Sequence, residues 1–368
     1  MKYIANKNKT YAVSLLVVSI TLIVQIFILP LLPEKYFFDS NNILKIVDGQ
    51  NTNVWNDKSF IFVSEIFKSI NIFNITTFTG WAIPFSIIGA LILLAYFNNY
   101  KNYSIHELLI ISIAIVFSNI YLFRISKDII QWIFWLLITI CLINYKNRNS
   151  IIVISLLFIF ESLLFRAYYI GILILAILIL ATNNVKNKKK LYKAILALGI
   201  VSIIGLLVLD KVDHQLYLRI INIRTTLNQS RLDDPNAVTA INDIIRTDNI
   251  FTYLINQIIN IARYLFPIEL FTKGIMYWPF IYFQAYITVS IIKNLKRNNT
   301  NKDKRFMTIQ AICLSFIIIS AIFEPDFGSV IRHEAAAFPI IFAYIYYEKI
   351  KDKRPLVKKY ENIEHATI

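Results

Sequence analysis

The chain has 368 residues, 57% of them hydrophobic and 17% charged, with a mean hydropathy of +0.57. That composition excludes an ordinary soluble enzyme and predicts an all-α polytopic membrane protein. The formal charge of +15 is mostly a topology signal, since clusters such as Lys188-Lys189-Lys190 fall between apolar runs, and no nucleic-acid partner is expected.

In chain order, the apolar runs predict spans at 11–32, 81–97, 108–123, 129–145, 151–165, 168–181, 194–209, 275–292, 306–323 and 335–347. That makes about ten transmembrane helices, several of them short for roughly 30 Å of hydrocarbon. The first reads as a start helix that stays attached, because its apolar run is long and Pro30 and Pro33 stand where a small-residue cleavage pattern belongs. Residues 60–78 and 251–270 are also apolar, yet making either cross would throw basic loops to the wrong side. Both therefore read as interfacial helices in the outer leaflet. In the second, Leu254, Ile258, Ile261 and Leu265 recur at helical spacing opposite Asn256, Gln257, Asn260 and Arg263.

Charge orients the spans. Segments 1–10, 98–107, 146–150, 182–193, 293–305 and 348–368 carry 23 of the 38 Lys and Arg residues, which places them, and both termini, in the cytoplasm. The other 15 are spread over a much longer exterior, chiefly a first loop at 34–80 and a large loop at 210–274. The rest of the chain forms one membrane domain with a basic tail, 348–368.

Cys141 and Cys313 fall inside spans, which leaves no disulfide framework or zinc site. There is no GxGxxG, Walker A, HExxH or GxSxG motif. Attention passes to the exterior ends of the helices. Arg124 and Asp128 flank Lys127 in the hairpin between the third and fourth spans, four residues apart and on one face if the helix continues through the turn. They serve either as snorkelling side chains with a local ion pair or as part of a site. Arg166 precedes Tyr168-Tyr169 at the next outer hairpin, with Glu161 about a turn deeper in an apolar helix, where an ionisable group pairs with another helix or serves a site. The last hairpin, Glu324-Pro-Asp326-Phe-Gly328 through Arg332-His333-Glu334, is the densest in charge. A guanidinium there suits bidentate phosphate binding and His333 a proton transfer. Asp39, outside the first span, is a loop carboxylate or a base. Arg219, Arg224 and Arg231 populate the large loop, which reads as a plain exterior subdomain or as a guide for a long hydrophilic ligand.

In layout the chain resembles the bacterial Wzy-type polysaccharide polymerases, especially the EpsG-like branch. The resemblance touches Asp39-Ser-Asn-Asn, Arg124-Ile-Ser-Lys-Asp-Ile-Ile, Arg166 at the following outer hairpin, and Phe327-Gly-Ser-Val-Ile-Arg332 before a final span with Pro339. It departs from that branch at Phe165-Arg166-Ala, where relatives carry a His before a small residue, and at Ile125, where a Gln often follows the Arg. The resemblance implies a metal-independent glycosyltransferase-type enzyme, without a cofactor, in the cytoplasmic membrane of a bacterium. It would join undecaprenyl-pyrophosphate-linked oligosaccharide repeat units, with a chain-length regulator and a flippase as partners. Arg124, Arg166 and Arg332 would meet the growing charge on the pyrophosphate, and His333, Asp39 or Glu334 the acceptor proton. Lys127, Asp128, Glu161, Arg219, Arg224, Arg231, Asp326 and Glu334 would contact substrate. Alternatives are a lipid-linked-sugar glycosyltransferase, an O-antigen ligase, or a flippase. Against the last stand the 8 glycines, the lack of paired Gly/Pro-interrupted spans, and charges gathered at the helix ends rather than the midplane.

Overall fold

A computed structural model describes residues 6–50, 58–98, 100, 102–143, 148–183, 208, 211–213, 215, 217–218, 238–247, 249–297 and 303–351. The predicted span at 194–209, apart from residue 208, and the candidate residues Arg219, Arg224 and Arg231 lie outside the described residues. The described elements are helical, apart from one isolated antiparallel bridge between Ala240 and Asp326.

The α-helices are α1 (Asn6–Ile23), α2 (Phe38–Val47), α3 (Lys58–Ile70), α4 (Phe78–Asn98), α5 (Ile105–Tyr121), α6 (Lys127–Ile143), α7 (Arg148–Leu164), α8 (Tyr169–Asn183), α9 (Ile250–Leu265), α10 (Trp278–Arg297), α11 (Lys304–Phe323), α12 (Phe327–Ile345) and α13 (Tyr347–Lys351). Among the described residues, four helical stretches are long and apolar enough to cross a membrane: Tyr11–Leu31, Phe78–Asn98, Ile275–Leu295 and Lys304–Phe323. The first continues from α1 through a π-helical turn, Val24–Ile28, and a 3-10 turn that holds Pro30. Proline fits there because the first turn of a helix leaves its N–H positions unpaired anyway.

The chain divides into two compact units, Met1–Thr139 with Ala335–Ile368, and Ile140–Glu334. In the first, α1 buries Val13 and Val17 and packs on α4 and α5. Asn119 of α5 donates to Thr21 at 3.2 Å and accepts from Gln25 at 3.1 Å, tying the helices by amide and hydroxyl groups. A Cβ on Gly89 of α4 would lie 2.4 Å from the Phe123 ring, so only glycine admits that ring against the helix. Ser104 and Glu107 form a capping box at the start of α5, and Glu107 also holds Lys349 at 2.6 Å.

In the second unit α8 packs along α11, α7 pairs with α8, and α9 lies on α11. The Thr288 hydroxyl donates to the Leu265 carbonyl at 2.7 Å, fixing α10 against the end of α9.

Three details differ from the sequence expectation. The stretch expected as one helix at 60–78 ends at Ile70 and α4 begins at Phe78. Between them the Asn71 carboxamide exchanges hydrogen bonds with the Ile75 backbone at 2.7 and 3.0 Å, and Asn74 adopts φ +51°, so the backbone turns instead of continuing. The stretch 34–80, expected as a loop with one interfacial helix, also contains α2, which hydropathy does not mark. Lastly, α12 starts eight residues before the expected span, at Phe327. Arg332, His333 and Glu334 are therefore helical and not part of a turn. The cause is Asp326, whose carboxylate accepts from the Ser329 N–H at 2.8 Å and from its hydroxyl at 3.1 Å, as an N-cap does.

Candidate functional site

The second unit brings the α7–α8 turn and the α11–α12 bend together. Arg166 lies in the turn between α7 and α8, anchored where its N–H bonds the Glu161 carbonyl at 3.3 Å. Glu324 is the C-cap of α11, and His333 stands in the second turn of α12. The bend between α11 and α12 is pinned by residues 239–241: the Ile241 N–H bonds the Pro325 carbonyl at 2.8 Å, and the Phe327 N–H bonds the Thr239 carbonyl at 3.0 Å.

A single carboxylate oxygen is the hub. Glu324 Oε1 lies 2.7 Å from His333 Nδ1, accepts from the Tyr168 hydroxyl at 2.8 Å, and meets Arg166 Nη1 at 3.3 Å. Arg166 Nη1 is also 2.9 Å from the Tyr168 hydroxyl and 3.0 Å from His333 Nδ1. A guanidinium has only donors, and the shortest approach to Nδ1 is that of the carboxylate, so the Nδ1 proton belongs on the His333–Glu324 line. Nε2 is then the basic nitrogen. It is buried and meets no protein hydrogen-bond partner among the described residues. A carboxylate fixing Nδ1–H so that Nε2 accepts a proton is the arrangement general-base histidines use.

Burial sharpens the electrostatics. Glu324 is 3% exposed and Arg166 21%. Burial alone would raise the Glu324 carboxyl, but His333 and Arg166, with the Tyr168 hydroxyl, outweigh it and lower it from 4.5 to about 2.

The other candidates divide as follows. Glu161 is buried on α7 and its Oε1 has no hydrogen-bond partner among the described residues. Glu334 is buried and accepts the Tyr264 hydroxyl of α9 at 2.9 Å. Asp326 caps α12, which accounts for its carboxylate. Arg332 is half-buried, on the helical turn that carries His333.

In the first unit, Lys127 Nζ lies 3.9 Å from Asp39 Oδ2 and 3.7 Å from the Phe60 ring centre, so α2 and α3 meet the start of α6. Arg124 is buried with its guanidinium 5.3 Å from the Phe37 ring centre. It belongs to bends 123–126 between α5 and α6, not to a helix, so a spacing of four does not place it on one face with Asp128. Asp128 is buried in the first turn of α6.

Glu324 and Tyr168 were not singled out from the sequence as functional residues. The signal for Glu324 was its place among the charges of the last hairpin. For Tyr168 it was only adjacency to Arg166.

Among the described residues, fold and cluster together define a helical protein with four helices long and apolar enough to cross a membrane and with buried, hydrogen-bonded ionisable groups at its helix ends. No family model matches the chain, and no curated protein or solved structure is significantly similar to it.

Proposed function

We propose that this chain polymerises undecaprenyl-pyrophosphate-linked oligosaccharide repeat units at the outer face of a bacterial cytoplasmic membrane, with about ten spans and both termini inside. The observation that carries this reading is the Glu324–His333 pair with Arg166 beside it, because joining lipid-linked sugars needs a base and a cation within reach of each other. The acceptor hydroxyl attacks C1 of the donor glycan, its O–H proton passes to His333 Nε2, the C1–O bond to pyrophosphate breaks, and undecaprenyl pyrophosphate leaves. Glu324 holds Nδ1–H and so aims Nε2, and it stabilises the imidazolium that forms. Arg166, the more exposed member of the cluster, stabilises the charge that grows on the leaving group more than the charge of the bound substrate. The leaving group is a good one and is met by arginine, so the reading requires no metal.

The test is the surface polysaccharide of cells carrying single substitutions. His333→Ala should abolish polymer while lipid-linked single repeats accumulate. Arg166→Lys keeps charge but loses the planar two-pronged donor, and should reduce polymer strongly with normal membrane insertion. Arg231→Ala, in the large loop, should only shorten or redistribute chains. An indifferent His333 with a dead Arg231 would move the chemistry into the loop, and loss of all surface glycan on deleting the gene would point to a flippase or an early transferase.

A further inference from the structure

Helix α3 spends its apolar face inside the first unit. Phe60, Val63 and Phe67 are buried, and the Phe67 ring meets those of Trp81 and Phe85 on α4 at 5.4 and 5.7 Å between centres. Its outward side is mixed, with Ile61 among exposed Lys58, Glu65 and Lys68. A helix that lies in a membrane surface keeps its apolar face for the lipid. In α3 that face is already taken by protein.

The turn that follows is built the other way. Ile72 and Phe73 are 82% and 85% exposed, and Ile70 beside them is about half exposed. Neighbouring large apolar side chains displayed at a tip mark a surface that something apolar covers. The tip is also held firmly. The N–H groups of Asn71, Ile72, Asn74 and Ile75 all donate within the segment 68–75, at 2.7 to 3.3 Å. The Ile75 carbonyl accepts from the Asn71 carboxamide at 3.0 Å and from the Trp81 indole at 3.1 Å. Backbone groups paired in this way can enter an apolar phase, whereas a loop that relies on water for its hydrogen bonds cannot. The Trp81 bond ties the turn to the first turn of α4, and Gly80 lets it come close, since a Cβ there would lie 2.6 Å from Ile75 Cγ2.

Helix α4 is one of the four stretches long and apolar enough to cross a membrane. Phe73 stands five residues before its start, at most about 17 Å of extended chain. We propose that Ile72 and Phe73 form a wedge that inserts into the hydrocarbon edge of one leaflet, just below the lipid head groups. The partner is lipid and not a second copy of the chain, because the tip is fastened to the end of a spanning helix, where lipid is the surrounding phase. Lys68, exposed one helical turn earlier, suits head-group phosphates in the way a basic residue flanking an apolar anchor does. The wedge sets the height of α3 at the membrane surface and, through Phe60, that of Lys127, whose Nζ lies 3.7 Å from the Phe60 ring centre. It requires only that α4 crosses the membrane, and it holds whatever reaction the protein carries out.

The test uses the full-length protein in phosphatidylglycerol–phosphatidylethanolamine vesicles, with Cys141 and Cys313 replaced by alanine and one nitroxide attached at Phe73→Cys, Ile72→Cys or Glu65→Cys. Collisions of the nitroxide with oxygen, which concentrates in hydrocarbon, are compared with collisions with a water-soluble nickel chelate. Oxygen should dominate at 72 and 73, and the chelate at 65. All three positions are exposed, so the substitutions leave the packing alone, and loss of one tip variant still leaves the other to decide. Nitroxides at 72 and 73 that meet the chelate as freely as the one at 65 would overturn the wedge. Shielding of 72 and 73 from both reagents, with spin–spin broadening between chains, would overturn it in favour of a second copy of the chain.

Discussion

At Glu324, one oxygen serves three partners: His333, Tyr168 and Arg166. The carboxylate is a counter-charge for the partly buried guanidinium, and it orients the imidazole. Glu324→Gln removes both roles while keeping shape, so it should destabilise the fold by about 3 kcal/mol, the usual cost of breaking a buried pair on one side, and on the polymerase reading abolish polymer. The pH dependence follows from the carboxyl being lowered from 4.5 to about 2. A group whose folded value is depressed contributes stability that is complete above its unfolded value and disappears as pH falls through the folded one. The wild-type advantage over Glu324→Gln in thermal unfolding should therefore be flat above about pH 4.5 and shrink from there toward pH 2. An advantage that fades between pH 5 and 7 would assign it to a different group.

Helix α12 owes its early start to two neighbouring residues. Asp326 caps it, and Gly328 leaves room for the cap, since a Cβ there would lie 2.9 Å from Asp326 Oδ1. Asp326→Ala should cost about 1 kcal/mol, Gly328→Ala should also destabilise, and Asp326→Asn, still able to cap, should restore both stability and polymer. An inactive Asp326→Asn protein of normal stability would instead make the carboxylate a substrate contact. The same helix shows where sequence reading reaches its limit. Hydropathy finds the runs that became α4, α10 and α11, because transfer into hydrocarbon depends on composition. It passes over α2, whose buried side includes Ser40 and Asn42, and it dates α12 from its alanines instead of from its cap. For α9 the 3.6-residue period groups Asn256, Gln257 and Asn260, all three buried, yet period alone does not say which face turns inward. The site is still less readable: Arg166 and Glu324 are 158 residues apart, and no spacing rule connects an α7–α8 turn to the end of α11.

For the whole molecule, the decisive property is which ends of the helices face outward. Twenty-three of 38 basic residues fall in six short segments and 15 in a much longer remainder, and translocation discriminates against Lys and Arg in short loops. On the proposed topology, 182–193 and 293–305 lie inside and the turns holding Arg166 and Glu324 outside, the side on which lipid-linked repeats would be joined. Reporters fused after Lys190 and after Lys304 should therefore read cytoplasmic, and one after Arg231 exterior. The Arg231 fusion is the critical one, because the proposed topology puts Arg231 and the Arg166 and Glu324 turns on one side. A cytoplasmic reading there would place the His333 cluster on the inner side. Lipid-linked repeats awaiting polymerisation do not reside on that side, and the polymerase reading would fall with its topology.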